Sequence, residues 1–261
     1  MQKRNNILEV EDKFLDYFRM GMKYTDISNI LNISKTSISI YIKNNGLINP
    51  SKIDNINHNA FSKQNEESIY WLGFLWADGS IQTDRNHYTL ELEIMDEEHA
   101  EKFKKFINAK KITKRNRNNS TTFRVNISSK QIILDLLNFG FDIKDNRVNL
   151  PNIDNKYLRI FLRGYFDGDG HIRIKNEKFE AIDISGREVF IDNIYNTFPY
   201  FIRKEKHSTR SLRIYTNKEF GLKFLKYIYK DANIYLERKY NSALFVCEHE
   251  VIKLGKIGEG F

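Results

Sequence analysis

The 261-residue sequence holds a single cysteine, Cys247. One thiol excludes an intramolecular disulfide framework and fits a reducing compartment. With no cysteine pair and six scattered histidines, a zinc finger is excluded by arithmetic. The opening stretch MQKRNNILEVEDKF is charged throughout and lacks the apolar core of a signal peptide. No apolar run approaches the length of a transmembrane helix. The expectation is a cytoplasmic or organelle-matrix protein, neither secreted nor membrane-bound.

What is present is a basic chain with enough apolar residues for a real core. Lys and Arg number 42 against 34 Asp and Glu, the net charge is +8 and the pI about 9.3, while 41% of residues are hydrophobic. Such a balance suits an anionic partner, nucleic acid first, although an ordinary basic enzyme would look the same. The length permits one large domain or two to three small ones.

The first fifty residues read as three helices. Glu9 to Met20 places Val10, Phe14, Tyr17 and Phe18 on one face, and a short second helix turns Ile27, Ile30 and Leu31 inward. After the turn Asn32-Ile33-Ser34, Ser34 can cap a helix over Lys35 to Lys43 that stops at Asn44-Asn45-Gly46. Two short helices around a tight turn resemble a helix-turn-helix, with Lys35, Thr36, Ser37 and Ser39 offered to a DNA groove or its phosphates. A plain three-helix packing unit is the alternative. Residues 51–67 are polar and aperiodic and read as a linker.

From residue 68 the chain repeats itself, 68–150 and then 151–261 with a C-terminal extension. Each copy reads αββαββα. The first has a helix ending at Asp78, strands in 80–85 and 88–95, a helix Glu97–Ile107 capped by Asp96, strands near 111–117 and 121–128, and a helix from Lys130 to Phe139. The second has a helix ending at Asp169, strands in 171–176 and 179–185, a helix 187–197, strands in 200–206 and 211–215, and a helix 218–229. The predicted class is α+β, two pseudosymmetric halves with antiparallel sheets plus a small all-α domain.

The strands alternate. Phe123, Val125 and Ile127 oppose Thr122, Arg124 and Asn126; Ile172 and Ile174 oppose His171, Arg173 and Lys175; Leu212 and Ile214 oppose Ser211, Arg213 and Tyr215. One face can pack on helices. The other carries the forked donors that read guanine and adenine edges, and Lys114, Asn116 and Arg203 are expected to join it. A merely solvated sheet face is the bland alternative. Thr89, Glu91 and Glu93 break the trend, and the sequence leaves open whether those acids meet bases or stay clear of phosphate.

The most informative feature is a pair of misplaced carboxylates. IYWLGFLWADGS and IFLRGYFDGDGH are apolar helices that end on Asp78 and Asp169, although a helix C-terminus is partly negative and prefers cations. Gly73 and Gly164 lie five residues before each Asp and would let two helix backbones approach closely. Parallel packing would then gather two carboxylates at two negative helix ends, which is unfavourable unless a cation compensates. Mg2+ accepts one or two carboxylates and leaves its other positions to water and phosphate. Such a site suits phosphodiester hydrolysis, by activating water and stabilising the leaving oxygen. An Asp-Gly that merely turns the chain would explain one motif, but not two at matched positions. DGDG is no EF-hand, because a 12-residue loop ending in a bidentate Glu is missing.

WLGFLWADG, residues 71–79, and LRGYFDGDG, residues 162–170, resemble the paired motifs of LAGLIDADG homing endonucleases. The resemblance covers about Ile69 to Val246. It implies a monomer whose saddle of strands lies on a long double-stranded DNA site, with Mg2+-dependent cleavage of both strands leaving short 3′ overhangs. It maps the acidic ligands onto Asp78 and Asp169 and offers the carbonyls of Ala77 and Gly168 to metal, whereas Asp167 matches Trp76 and is not the catalytic acid. It also implies a lysine near each metal site, by pattern Lys144 and Lys239. The N-terminal helix-turn-helix departs from simple family members. Neither a second cysteine nor a terminal His-Asn marks an intein, so a free-standing or intron-encoded enzyme promoting its own mobility is expected, with no protein partner. The rival readings are a non-catalytic DNA-binding regulator, an RNA maturase and a structural repeat protein.

Overall fold

The computed structural model describes residues 5–47, 55–83, 88–117, 120–143, 146–209 and 211–257. They form two compact units, 1–55 and 56–261.

The first unit has a 3-10 turn, Ile7–Val10, then α1 (Glu11–Arg19), α2 (Tyr24–Leu31) and α3 (Lys35–Asn44). Ile7, Phe14, Phe18, Ile27, Leu31, Ile33 and Ile38 make its core. Asn32 ends α2 in the left-handed region at φ 51°, and the Ser34 hydroxyl then accepts from the Ser37 backbone N–H at 2.9 Å. That is the expected turn and cap. Ile30 differs from expectation: it faces outward and is 55% exposed, because Ile27 and Leu31 already fill the inward stripe.

The second unit begins at Ile56, inside the stretch expected to be linker. Phe61 is buried, Asn57 N–H donates to the Ile107 carbonyl at 2.9 Å, and His58 Nδ1 meets Ser129 Oγ at 2.8 Å. Asn65 and Ser68 then cap α4 reciprocally. The first repeat runs α4 (Glu66–Asp78), β1 (Gly79–Gln82), β2 (Thr89–Ile94), α5 (Glu97–Ile107), β3 (Thr113–Arg117), β4 (Ser120–Ser128) and α6 (Lys130–Asn138). The second runs α7 (Leu158–Asp169), β5 (Gly170–Lys175), β6 (Lys178–Arg187), α8 (Glu188–Thr197), β7 (Arg203–Ser208), β8 (Ser211–Tyr215) and α9 (Lys218–Tyr229). The doubled αββαββα order is therefore present. The extension forms a further helix, α10 (Glu237–Ile257).

Each repeat has one four-stranded antiparallel sheet, in the orders β1-β2-β4-β3 and β5-β6-β8-β7. The inner set of β2 and β4 (Leu90, Leu92, Ile94, Phe123, Val125, Ile127) is buried, as alternation requires. α4 and α7 are apolar nearly all round because they lie at the centre of this unit, and Ile69 to Ala77 are buried without interruption. Asp96 does not cap α5 through its side chain; it accepts from Arg238 Nε at 3.2 Å instead.

Candidate active site and nucleic-acid interface

The two motif helices touch through their glycines. A Cβ on Gly73 would lie 2.1 Å from the Phe161 carbonyl oxygen, and one on Gly164 would lie 2.0 Å from that of Tyr70. The contact is reciprocal, as expected of a pseudo-twofold axis. Further along, a Cβ on Gly168 would meet the Ala77 Cβ at 2.4 Å and the Asp78 Oδ2 at 3.4 Å. The helices therefore remain in contact up to their C-termini, where Asp78 is exposed and Asp169 half-buried. One ammonium, that of Lys239, feels both carboxylates.

Each negative helix end is met by a buried cation. Lys239, at the start of α10, donates to the carbonyls of Phe166 at 2.6 Å and Gly168 at 3.2 Å. Burial lowers its pKa to about 8, with Arg238 adding to the shift and Asp167, Asp169 and Asp78 opposing it. Arg147 does the same for α4, donating to Leu75 and Trp76 at 2.8 Å each and to Gly79 at 2.9 Å. Burial lowers its pKa to about 10, and its guanidinium lies 4.3 Å from the centre of the Phe141 ring. Leu75 and Phe166 are repeat equivalents, so the two cations hold matching carbonyls. Lys144, the expected partner in the first half, lies outside the described residues. The repeat itself carried the signal for Arg147: shifted by the 91 residues that separate Asp78 from Asp169, Lys239 falls beside Arg147.

Asp167, which the resemblance leaves out of the catalytic pair, is sealed in the core. It accepts from Tyr70 Oη at 2.7 Å, Tyr229 Oη at 2.5 Å and the Leu236 N–H at 2.8 Å. Burial raises its pKa. The Leu236 bond fixes the entry to α10 and so the place from which Lys239 reaches inward.

Ala77 and Gly168 flank the carboxylates as expected, and the Gly168 carbonyl already accepts one bond from Lys239. The donors gathered here are carboxylate and carbonyl oxygens only. Among the described residues no group of three His, Cys, Asp or Glu assembles. Such an oxygen-only, two-carboxylate set fits Mg2+, which keeps much of its water, and does not fit zinc.

The outward faces of the sheets hold most of the expected DNA contacts. Thr122, Arg124 and Asn126 share one face of β4, as do His171, Arg173 and Lys175 on β5, and Arg203 is exposed on β7. Lys114 and Asn116 are corrections. Lys114 pairs with the core residue Phe123 and Asn116 with Thr121, so both lie on the opposite face, and the outward positions of β3 are Thr113 and Arg115. A one-residue error in register moves every side chain across a strand. Tyr215 is also corrected: it is buried between the guanidinium groups of Arg173 and Arg203, at 4.7 and 4.4 Å from its ring centre, and its hydroxyl donates to Glu205.

Glu91 and Glu93 face the same way as the arginines and pair with them. Glu91 makes an ion pair with Arg124, and Glu93 meets Arg115 at 3.2 Å and accepts from Thr122 at 2.7 Å. In the second sheet Asp183, a residue the sequence did not single out, meets Arg173 Nε at 2.8 Å and Arg213 Nε at 3.5 Å. A hollow of about 620 Å³ follows this face and includes Asp169, His171, Arg173, Asp183 and Arg213. In the first unit Lys35, Thr36 and Ser39 are exposed on α3, whereas the Ser37 hydroxyl is held by Ser34 at 2.7 Å.

Residues 67–144 match a family model described as the WhiA LAGLIDADG-like domain, and residues 156–188 match one described as a LAGLIDADG-like domain. The chain carries two LAGLIDADG-like repeats. Solved structures share this LAGLIDADG fold. The I-SmaMI LAGLIDADG homing endonuclease bound to cleaved DNA superposes with a TM-score of 0.54 at 17% identity, over 74% of this chain and 91% of that one. I-SmaMI bound to an uncleaved DNA target with calcium ions gives 0.52 at 17% identity, covering 74% and 93%. I-LtrWI bound to target DNA gives 0.50 at 14% identity, covering 75% and 97%. Among curated proteins, an uncharacterized protein of Methanocaldococcus jannaschii is 25% identical over 58% of this chain, which spans about half of that relative (54%). A probable translation initiation factor IF-2 of Thermococcus kodakarensis is 27% identical over 46% of this chain but only 10% of its own length.

Proposed function

We propose that this LAGLIDADG protein is a site-specific DNA endonuclease that hydrolyses both strands of a long target and promotes the mobility of its own gene or intron. The observation that carries the reading is the convergence of Asp78 and Asp169 at two helix ends, each end backed by a buried cation. A carboxylate pair at that place lowers stability unless it does work. DNA stands in the names of the solved relatives and calcium in one of them, which supports a duplex substrate and a divalent cation.

Asp78 and Asp169, with the carbonyls of Ala77 and Gly168, would hold Mg2+, which when bound supplies Lewis-acid activation of water and stabilisation of the leaving oxygen. The protein residues do the rest. Gly73 and Gly164 set the spacing of the two carboxylates. Lys239 and Arg147 offset the helix-end charge and present positive potential to a phosphodiester. Arg115, Arg124, Arg173, Arg203 and Arg213 read and hold the duplex along the sheets, and Lys35, Thr36 and Ser39 of α3 add phosphate and groove contacts. The enzyme acts as a monomer, because both motifs are present in one chain.

Cleavage-site selection from randomised duplex DNA with Mg2+ tests this reading directly. The full chain should yield one long cut site. A chain beginning at Ile56 should cut the same site with a shorter footprint and a shallower salt dependence of binding. The match of the first half to a WhiA LAGLIDADG-like domain leaves a second reading open, a DNA-binding regulator that does not cut. Binding of a selected duplex without cleavage would establish that reading instead.

A further inference from the structure

Glu91 and Asp183 occupy the same place in the two sheets. Glu91 lies between Ser80 of β1 and Asn126 of β4, and Asp183 between His171 of β5 and Tyr215 of β8. Arg124 and Arg213 are equivalent as well, each two residues before that β4 or β8 partner. The diagonal ion pairs Glu91–Arg124 and Asp183–Arg213 therefore place one device in both repeats, through a terminal nitrogen of Arg124 in the first and at 3.5 Å from Arg213 Nε in the second. In the second sheet the device is larger. Asp183 Oδ2 also meets Arg173 Nε at 2.8 Å and His171 Nδ1 at 3.3 Å, and the Asp183 side chain is only 7% exposed.

A carboxylate at the centre of a face that meets a polyanion weakens general attraction. It does something else for the arginines. A free arginine carries about 2 kcal/mol of rotamer entropy and can turn to any phosphate within reach. Asp183 holds Arg173 through Nε, so the terminal nitrogens, the fork that matches guanine O6 and N7, are left for a base edge. Tyr215 fixes the plane of the same guanidinium from beside it.

We propose that Asp183 and Glu91 are positioning residues for sequence discrimination. Asp183 holds Arg173 by Nε with its terminal fork left over, Asp183 and His207 flank Arg213, and Glu91 holds Arg124 by a terminal nitrogen, so each acid exchanges non-specific affinity for selectivity. The proposal rests on the reading of the sheets as the DNA face. Raising affinity does not account for the acids, since removing either one makes the face more attractive to DNA in general.

The test compares the full chain with Asp183→Asn, Glu91→Gln and the charge-keeping Asp183→Glu. The probes are a duplex selected by the wild-type chain from a randomised pool and a scrambled duplex of the same length, bound over a series of salt concentrations. Both neutral variants should bind the scrambled duplex more tightly than wild type. Their ratio of selected to scrambled affinity should fall by about tenfold, as expected for loosening one bidentate reader. Asp183→Glu should keep its discrimination. An unchanged ratio in both neutral variants overturns the proposal. So does an equal loss of affinity for both duplexes together with a lowered melting temperature, which would make the acids structural. A randomised pool from which the wild-type chain selects no duplex overturns the DNA reading as well, whereas discrimination that survives in all variants overturns this inference alone.

Discussion

The backbone at Gly73 packs directly on the carbonyl of Phe161, with room for no more than a hydrogen: a methyl there would stand 2.1 Å from the oxygen. The distance between the two carboxylates is therefore set several residues upstream of them, by the helix crossing itself.

Gly73→Ala should force α4 and α7 apart. Overpacking of this kind costs about 1–3 kcal/mol, and more where only backbone can yield. Thermal melting should show the loss, and cleavage at a temperature where the variant remains folded should fall further still. A variant with wild-type melting and wild-type cleavage would mean that the crossing is looser than the glycines indicate.

Arg147→Met should leave three buried carbonyls without their donor, at about 1–3 kcal/mol for an unsatisfied group. Arg147→Lys should recover part of that stability. On DNA, Arg147→Met and Lys239→Met should each accumulate nicked product, and they should spare opposite strands, because each cation serves one helix end. Strand-resolved gels read this directly. Equal slowing of both strands by each variant would show that the two cations act only through the fold.

His99 gives a pH dependence with a definite sign. Its Nε2 contacts Tyr70 Oη at 3.0 Å, and burial lowers its pKa from 6.5 to about 3. The unfolded chain binds a proton between those values and the native chain does not. Stability is thus fully present above about pH 6.5 and is lost as pH falls toward 3, with a ceiling of roughly 5 kcal/mol for a shift of this size. His99→Gln should flatten denaturant-derived stability across pH 4–6.5 relative to wild type. Parallel profiles would place the acid sensitivity elsewhere.

The helix ends, the doubled order of elements and the glycine contact were legible in sequence because each rests on local pattern: an apolar run, a period of two, a repeated Asp-Gly. Ser34 as a cap and the buried set of β4 were legible for the same reason. Lys114 and Asn116 were misplaced because β3 is short and polar, TKRNR, with no apolar residue to declare its inner face; only its register against β4 does so. Arg147 was missed because its carbonyl partners are some 70 residues away, and a buried arginine resembles a surface one in sequence. Asp183 falls in the strand read at 179–185, to which the sequence assigned no outward face, and its partners come from β5 and β8. Tyr215 follows the outward parity correctly but is covered by two arginines that only the folded sheet brings together.

If the carboxylates at the two helix ends cut DNA, neutralising either one must stop cleavage. Asp78→Asn and Asp169→Asn remove one charge each and keep the size of the side chain. With the duplex that the wild-type chain selects, both variants and wild type should be compared for binding in Ca2+ and for cleavage in Mg2+. Each variant should bind the duplex about as tightly as wild type and leave both strands joined. Full cleavage of both strands by either variant would show that the helix-end carboxylates are not the catalytic groups.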